Sequence, residues 1–229
     1  MIDSYINEYK DLTSKLFPYS MLSYDDAINI ETLASMFKSV EIIDTYVNST
    51  ASLDSWIQLK LNEVKNQLLM SLFYLPQHTT YVFNTFQRSI AELVLKITLY
   101  SASEDAKTVD YQNSINGIQY RILKEKIKNL QQYSSSFKNL LDNFFSFYST
   151  SSNNIHLKNS LTIIDYIEAY NSITQGEIKQ FRNFVNKVEC FLLTIFPKLH
   201  NLNDKELNMS AKIQLKKVIS DNLYKKYFC

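Results

Sequence analysis

Residues 53–72 read LDSWIQLKLNEVKNQLLMSL, and Leu53, Ile57, Leu61, Val64, Leu68 and Leu72 recur at spacings of four, four, three, four and four. A side chain every three to four residues returns to the same side of a helix, so these six make one continuous apolar stripe. Pro76 ends the helix, because proline has no amide to donate and its ring crowds the preceding turn. The pattern then repeats with Val82, Phe86, Ile90, Leu93 and Ile97, which predicts a second striped helix over about 80–101. Two such helices joined by a short connection bury their stripes as antiparallel neighbours.

Composition extends this reading to the whole chain. Only two glycines (Gly117, Gly176) and three prolines (Pro18, Pro76, Pro197) interrupt 229 residues. A sheet-rich chain of this length needs many more turn residues, so few and long helices are expected. Hydrophobic residues at 45% and charged residues at 21% describe a globular chain able to bury a sizeable core. The fold class expected is all-α, an antiparallel multi-helix bundle forming a single domain over 1–229. Its parts are acidic amino-terminal helices (1–50), a bundle core (51–200) and a basic carboxy-terminal helix (203–229).

The remaining helices follow from caps and breaks. A short helix over 2–16 stops at Pro18, and Asp25-Asp26 cap one running to about Asn48. A long segment from Ser103 to about Gln132 carries Tyr111, Ile115, Ile118 and Ile122, with Gly117 inside it. An aromatic helix spans Phe137 to Tyr148. The small polar run Ser149-Thr150-Ser151-Ser152-Asn153-Asn154 reads as the clearest break, because such side chains compete for backbone hydrogen bonds. Helix resumes near Asn159 and pauses near Ser172. Thr174-Gln175-Gly176-Glu177 fits a capping box for a helix that halts at Pro197, and Asn203-Asp204-Lys205-Glu206 fits another for a last helix through Leu207, Leu215, Val218 and Leu223.

Charge is unevenly placed. Residues 1–50 hold eight acids against three lysines, whereas the carboxy-terminal stretch carries Lys205, Lys212, Lys216, Lys217, Lys225 and Lys226 against Asp204, Glu206 and Asp221. Such polarity suits docking to a protein partner, or nucleic-acid contact through the basic helix. The opening MIDSYINEYKDL lacks the basic-then-apolar order of a secretory leader, and no apolar run reaches the roughly 18 residues of a membrane span. Cys190 lies in an apolar run and Cys229 is the last residue, so no disulfide is expected and the chain reads as cytoplasmic.

Most enzyme chemistries lose their sequence support. Two isolated glycines cannot build a phosphate-cradling loop. There is no CxxC, HExxH or Glu-x-x-His pair, so neither a metal nor a cofactor is expected. Three polar fragments remain. Arg88 and Glu92 share one face of an otherwise apolar helix, as an ion pair or as a polar site between helices. His156 follows the Ser149–Asn154 run, and a histidine titrates near neutrality. Arg182, Asn183 and Asn186 form a polar patch on the helix opened by Thr174.

Arg88-Ser89-x-x-Glu92, followed by Ser152-x-x-x-His156, resembles the HEPN superfamily of prokaryotic helical bundles, in its apparently non-catalytic branches. Members of that superfamily act in toxin–antitoxin, abortive-infection and other antiphage systems. Catalytic members carry an arginine, usually a polar residue after it, then four to six residues to a histidine. Here Thr150, Ser151 and Ser152 stand where the arginine before His156 would be, and Lys187 stands where the histidine after Arg182-Asn183 would be. The resemblance covers about residues 50–200. It implies a non-catalytic subunit or regulator of a defence or toxin–antitoxin complex, working by protein–protein contact as a homodimer or in a hetero-complex. The alternative it implies is a metal-independent ribonuclease, with His156 exchanging protons and Arg182 or Arg88 stabilising the developing charge. A third reading is a host-modulating helical protein of a virus or mobile element.

Overall fold

A computed structural model of the chain describes residues 1–18, 27–49, 53–77, 80–103, 108–130, 134–155 and 175–229, and among these there is no strand. The helices are α1 (Ile2–Leu16), α2 (Ala27–Ser49), α3 (Ser55–Tyr74), α4 (Thr80–Ala102), α5 (Val109–Asn116), α6 (Tyr120–Lys128) and α7 (Ser135–Ile155). After them come α8 (Gln175–Cys190, a π-helical turn Phe191–Ile195, then Phe196–Leu199), α9 (Met209–Ile219) and α10 (Asp221–Phe228). The chain is all-α. None of these helices is long and apolar enough to cross a membrane.

Five long helices form a closed ring. Helix α2 packs on α3, α3 on α4, α4 on α7, α7 on α8 and α8 back on α2, with α4 also touching α8. The α4–α7 contact is the most extensive, followed by α2–α8. The stripe that begins at Leu53 seats α3 between α2 and α4: all six of its apolar positions are buried, with Ile57, Leu61 and Leu68 fully so. Trp56 stacks on Tyr100 of α4 at 4.3 Å between ring centres. On the far side Phe144 of α7 meets Phe184 and Phe191 of α8 edge to face. One contiguous apolar cluster runs from Ile6 to Phe228.

The outer helices lie on this ring. In α1, the Tyr9 hydroxyl donates to the Leu72 carbonyl of α3 at 2.6 Å. Helices α5 and α6 sit on α4, and α9 sits on α2 with α10 beside it.

Several boundaries differ from the sequence reading. Asp54 caps α3, accepting from the Trp56 amide at 2.8 Å. The expected long helix over 103–132 is two short ones, α5 capped by Thr108 and α6, separated at Gly117. The turn rotates the stripe, so Leu123 and Ile127 are buried while Ile122 is 44% exposed. Gly117 itself has φ −87, and an added Cβ would meet only the Asn113 carbonyl at 3.6 Å, an ordinary contact, so it ends a helix without any steric need for glycine. Helix α8 does not halt at Pro197. A π-helical turn ahead of the proline widens the helix, so the ring avoids the carbonyl it would strike in a regular α-turn. The Leu192 carbonyl within that turn accepts from the buried Tyr46 hydroxyl at 2.8 Å.

The carboxy-terminal helix is also divided. Residues 204–206 form a turn closed by Asn203, whose side chain accepts from the Lys205 amide. Asn208 caps α9, and Ser220, at φ 72 and ψ 154, breaks it from α10. Tyr224 rather than Leu223 faces the core. The Asp25-Asp26 cap, Glu104-Asp105, the helix over 159–172, Thr174 and the side chains of its capping box lie outside the described residues.

Candidate functional site

The expected break at Ser149–Asn154 is not present. Helix α7 continues to Ile155, because its small polar side chains find partners across the interface with α4 instead of on their own backbone. The fully buried Ser151 hydroxyl donates to Gln87 Oε1 at 3.1 Å, and Asn154 Nδ2 donates to Asn84 Oδ1 at 3.2 Å. Asn84 and Gln87 are themselves buried, so each bond satisfies a group that would otherwise be costly. One turn back along α7 from Ser151, the guanidinium of Arg88 lies over the Tyr148 ring at 5.2 Å, with Nη2 3.3 Å from the Tyr148 hydroxyl.

Tyr148 in turn stacks on Tyr120 of α6 at 3.6 Å between ring centres. The Tyr120 hydroxyl donates to the Phe145 carbonyl at 3.0 Å, and burial raises its pKa above the usual phenol range, which keeps it protonated and a donor. The result is a polar seam between two apolar helices, ending in a cation held on a stacked pair of tyrosines.

This seam opens into a cleft of about 320 Å³ lined by Tyr81, Thr85, Arg88, Ser89, Glu92 and Ile155. Arg88 and Glu92 line it together, as their four-residue spacing predicts, but the carboxylate is bound elsewhere. Glu92 pairs with Lys96 at 2.7 Å, one turn onward, and Lys96 also donates to the Asn116 carbonyl at the end of α5 at 2.8 Å. The Arg88–Glu92 ion pair is thus absent among the described residues, each partner having a better-placed one. The cleft offers one guanidinium, hydroxyls and a neutralised carboxylate. Among its lining residues there is no histidine, and no nucleophile sits beside a free base.

The second arginine is in another seam. Arg182 of α8 forms an ion pair with Glu31 of α2, and Asn186 one turn later accepts from Ser35 of α2 at 2.7 Å. Further along, burial raises the pKa of Glu189 despite the opposing charge of Lys38 and the nearby Ser35 hydroxyl. Asn183 is exposed and Ser152 is half-buried. His156 lies outside the described residues, and among those residues no group of His, Cys, Asp or Glu could hold a metal ion.

The basic end is partly neutralised from within. Lys212 pairs with Asp204 at 3.0 Å, and the Tyr224 hydroxyl donates to the same carboxylate at 2.6 Å. These two hydrogen bonds hold the Asp204 carboxyl below the usual range, whereas Tyr224 is pushed up by burial and then by Asp204. Lys216 covers the Tyr224 ring and Lys226 the Tyr227 ring, while Lys205, Lys217 and Lys225 are exposed. Acids of the amino-terminal part are likewise engaged: Glu41 accepts from Gln214 of α9 and Asp44 pairs with Lys65 of α3.

Comparison with protein-family models, with curated proteins and with solved structures finds no match to this chain.

Sequence reasoning missed Asn84, Gln87, Lys96, Tyr120 and Tyr148. The available signal was that both helices carry polar residues on a face otherwise apolar, at 84, 87 and 88 on one and at 148, 151 and 154 on the other. Buried polar groups need partners, so two such faces are candidates to meet in one seam.

Proposed function

We propose that this chain is a non-catalytic helical-bundle protein acting by protein–protein contact. It would be a subunit or regulator of the prokaryotic defence or toxin–antitoxin type that its Arg88-Ser89-x-x-Glu92 segment resembles. The observation that supports this reading is the fate of the two arginines. A ribonuclease of that type needs a cation and a proton-transfer group converging on one phosphate. Arg88 is engaged on Tyr148 in the α4–α7 seam, and Arg182 is engaged with Glu31 in the α2–α8 seam. Each arginine has a structural task, and the tasks belong to different helix pairs.

The test is incubation of the purified protein with total RNA in chelator, alongside Arg88→Ala, Arg182→Ala and His156→Ala. No cleavage above background is expected from any of the four. Metal-independent cleavage by the wild type that is lost in one of these variants would overturn the proposal. Tagged native protein should also retain a stoichiometric protein partner through size exclusion.

A further inference from the structure

The basic surface picked out by sequence, at the carboxy-terminal end, is partly occupied by its own acids and aromatic rings. A second one is less encumbered. Helix α6 and the start of α7 carry Arg121, Lys124, Lys126, Lys128 and Lys138 against only Glu125 and Asp142. Arg121 pairs with Glu125 at 3.4 Å, and Lys124 lies over the Phe145 ring at 5.5 Å. Lys128 and Lys138 are exposed, and among the described residues neither belongs to an ion pair.

These two lysines border a cleft of about 280 Å³ between α6 and α7. Its floor is formed by Ile127, Leu141 and Phe145, each at most 4% exposed, and Asp142 stands on its rim. The volume is just below the range of sites for drug-sized ligands and suits one large apolar side chain. Association of this kind is dominated by an anchor residue seated in a small apolar pocket, with charges on the rim fixing register.

We propose that this cleft is the docking site for an acidic segment of a protein partner, with one leucine- or phenylalanine-sized residue seated on Phe145 and flanking carboxylates on Lys128 and Lys138. Charge complementarity selects that occupant. Two ammonium groups call for carboxylates, the side chains of Ile127, Leu130, Leu141 and Phe145 call for an apolar anchor, and the Asp142 carboxylate is placed to accept from a peptide amide. A nucleic acid fits less well, because the floor offers no open aromatic face on which bases could stack, Phe145 being only 4% exposed. This proposal rests on the protein-contact reading given above and names its surface.

The probe is a fluorescein-labelled peptide with one leucine flanked on both sides by glutamates, followed by fluorescence polarisation. A second peptide has serine in place of leucine, and a single-stranded oligonucleotide of matched charge serves as competitor. The leucine peptide should bind the wild type and weaken with added salt. Lys128→Glu/Lys138→Glu should weaken it at least about tenfold, roughly 1.4 kcal/mol. Lys217→Glu/Lys225→Glu makes the same charge change on α9 and α10 and should leave binding within about twofold. The serine peptide should lose about tenfold, because the anchor contributes through apolar burial.

Circular dichroism of both double variants establishes that they are folded, which exposed positions should allow. Equal binding by the Lys128/Lys138 variant, equal binding of the serine peptide, or displacement by the oligonucleotide at lower concentration would each overturn the proposal. Absence of peptide binding with a co-purifying partner still present defeats this site alone, whereas RNA cleavage in chelator defeats the protein-contact reading.

Discussion

Replacing Lys96 by methionine removes an ammonium while keeping the length of the side chain that packs along α4. In the wild type this ammonium is 2.7 Å from Glu92 and 2.8 Å from the Asn116 carbonyl, and the side chain is only 11% exposed. Breaking a buried ion pair from one side costs about 3–5 kcal/mol, because the remaining charge has lost both water and partner. Glu92 is 30% exposed, so water recovers part of that loss, and Asn116 is exposed enough for its carbonyl to resolvate. The net expectation is about 2 kcal/mol. For a chain of this length that corresponds to a fall in Tm of about 4–8 °C. Urea unfolding followed by far-ultraviolet circular dichroism should show a lower midpoint with an unchanged slope. Lys96→Met combined with Glu92→Gln should recover about half of the loss, since the orphaned charge is gone. A Lys96→Met midpoint within about 0.5 kcal/mol of wild type, or strictly additive effects in the double variant, would refute the assignment of Lys96 as the partner that neutralises Glu92.

Two further substitutions test other features. The pKa of Glu189 is raised in the folded chain by burial, so its contribution to stability is full below the ordinary carboxylate range and is lost as pH rises through the folded value. Glu189→Gln should therefore match wild type in acid and exceed it near neutrality, and a Tm difference that shrinks with rising pH would contradict this sign. Ser220 holds φ 72 and ψ 154, a conformation favoured by glycine, and its side chain makes no capping bond to α10. Ser220→Gly should raise stability by about 1 kcal/mol in urea unfolding, after the entropy lost by the freer unfolded glycine is offset. A destabilised variant would show that the serine side chain contributes more than its backbone strain costs.

The parts of the fold legible in sequence are those governed by neighbours along one helix. The stripes of α3 and α4 needed nothing but period, and Phe86, Ile90, Leu93 and Ile97 are all buried beside the six α3 positions. The parts that were misread depend on partners far away in the chain. Ser151 and Asn154 look like loop residues until Gln87 and Asn84 are set opposite them, 64 and 70 positions earlier. Pro197 looks like a terminus until the π-helical turn makes room for it. The candidate site suffered in the same way. Spacing placed Arg88 and Glu92 in one cleft, but only the packing of α5, α6 and α7 shows that each is drawn to a different partner.

The closed ring has a consequence for synthesis. Helix α2 meets its second large neighbour only through α8, as in the Ser35–Asn186 and Tyr46–Leu192 bonds, which span 151 and 146 positions. A nascent chain that has released α1 to α7 therefore exposes the side of α2 that awaits α8. Loop-closure entropy must be overcome before that long-range contact gives any return, which places ring closure among the slower events of folding. At translation speeds of about 5–20 residues per second, the interval between emergence of α2 and emergence of α8 is on the order of ten seconds. During that time the unfinished bundle presents an apolar groove about one helix wide. Ribosome-bound chaperones would be expected to act there, and truncations before residue 175 should accumulate as aggregates instead of as a smaller folded core.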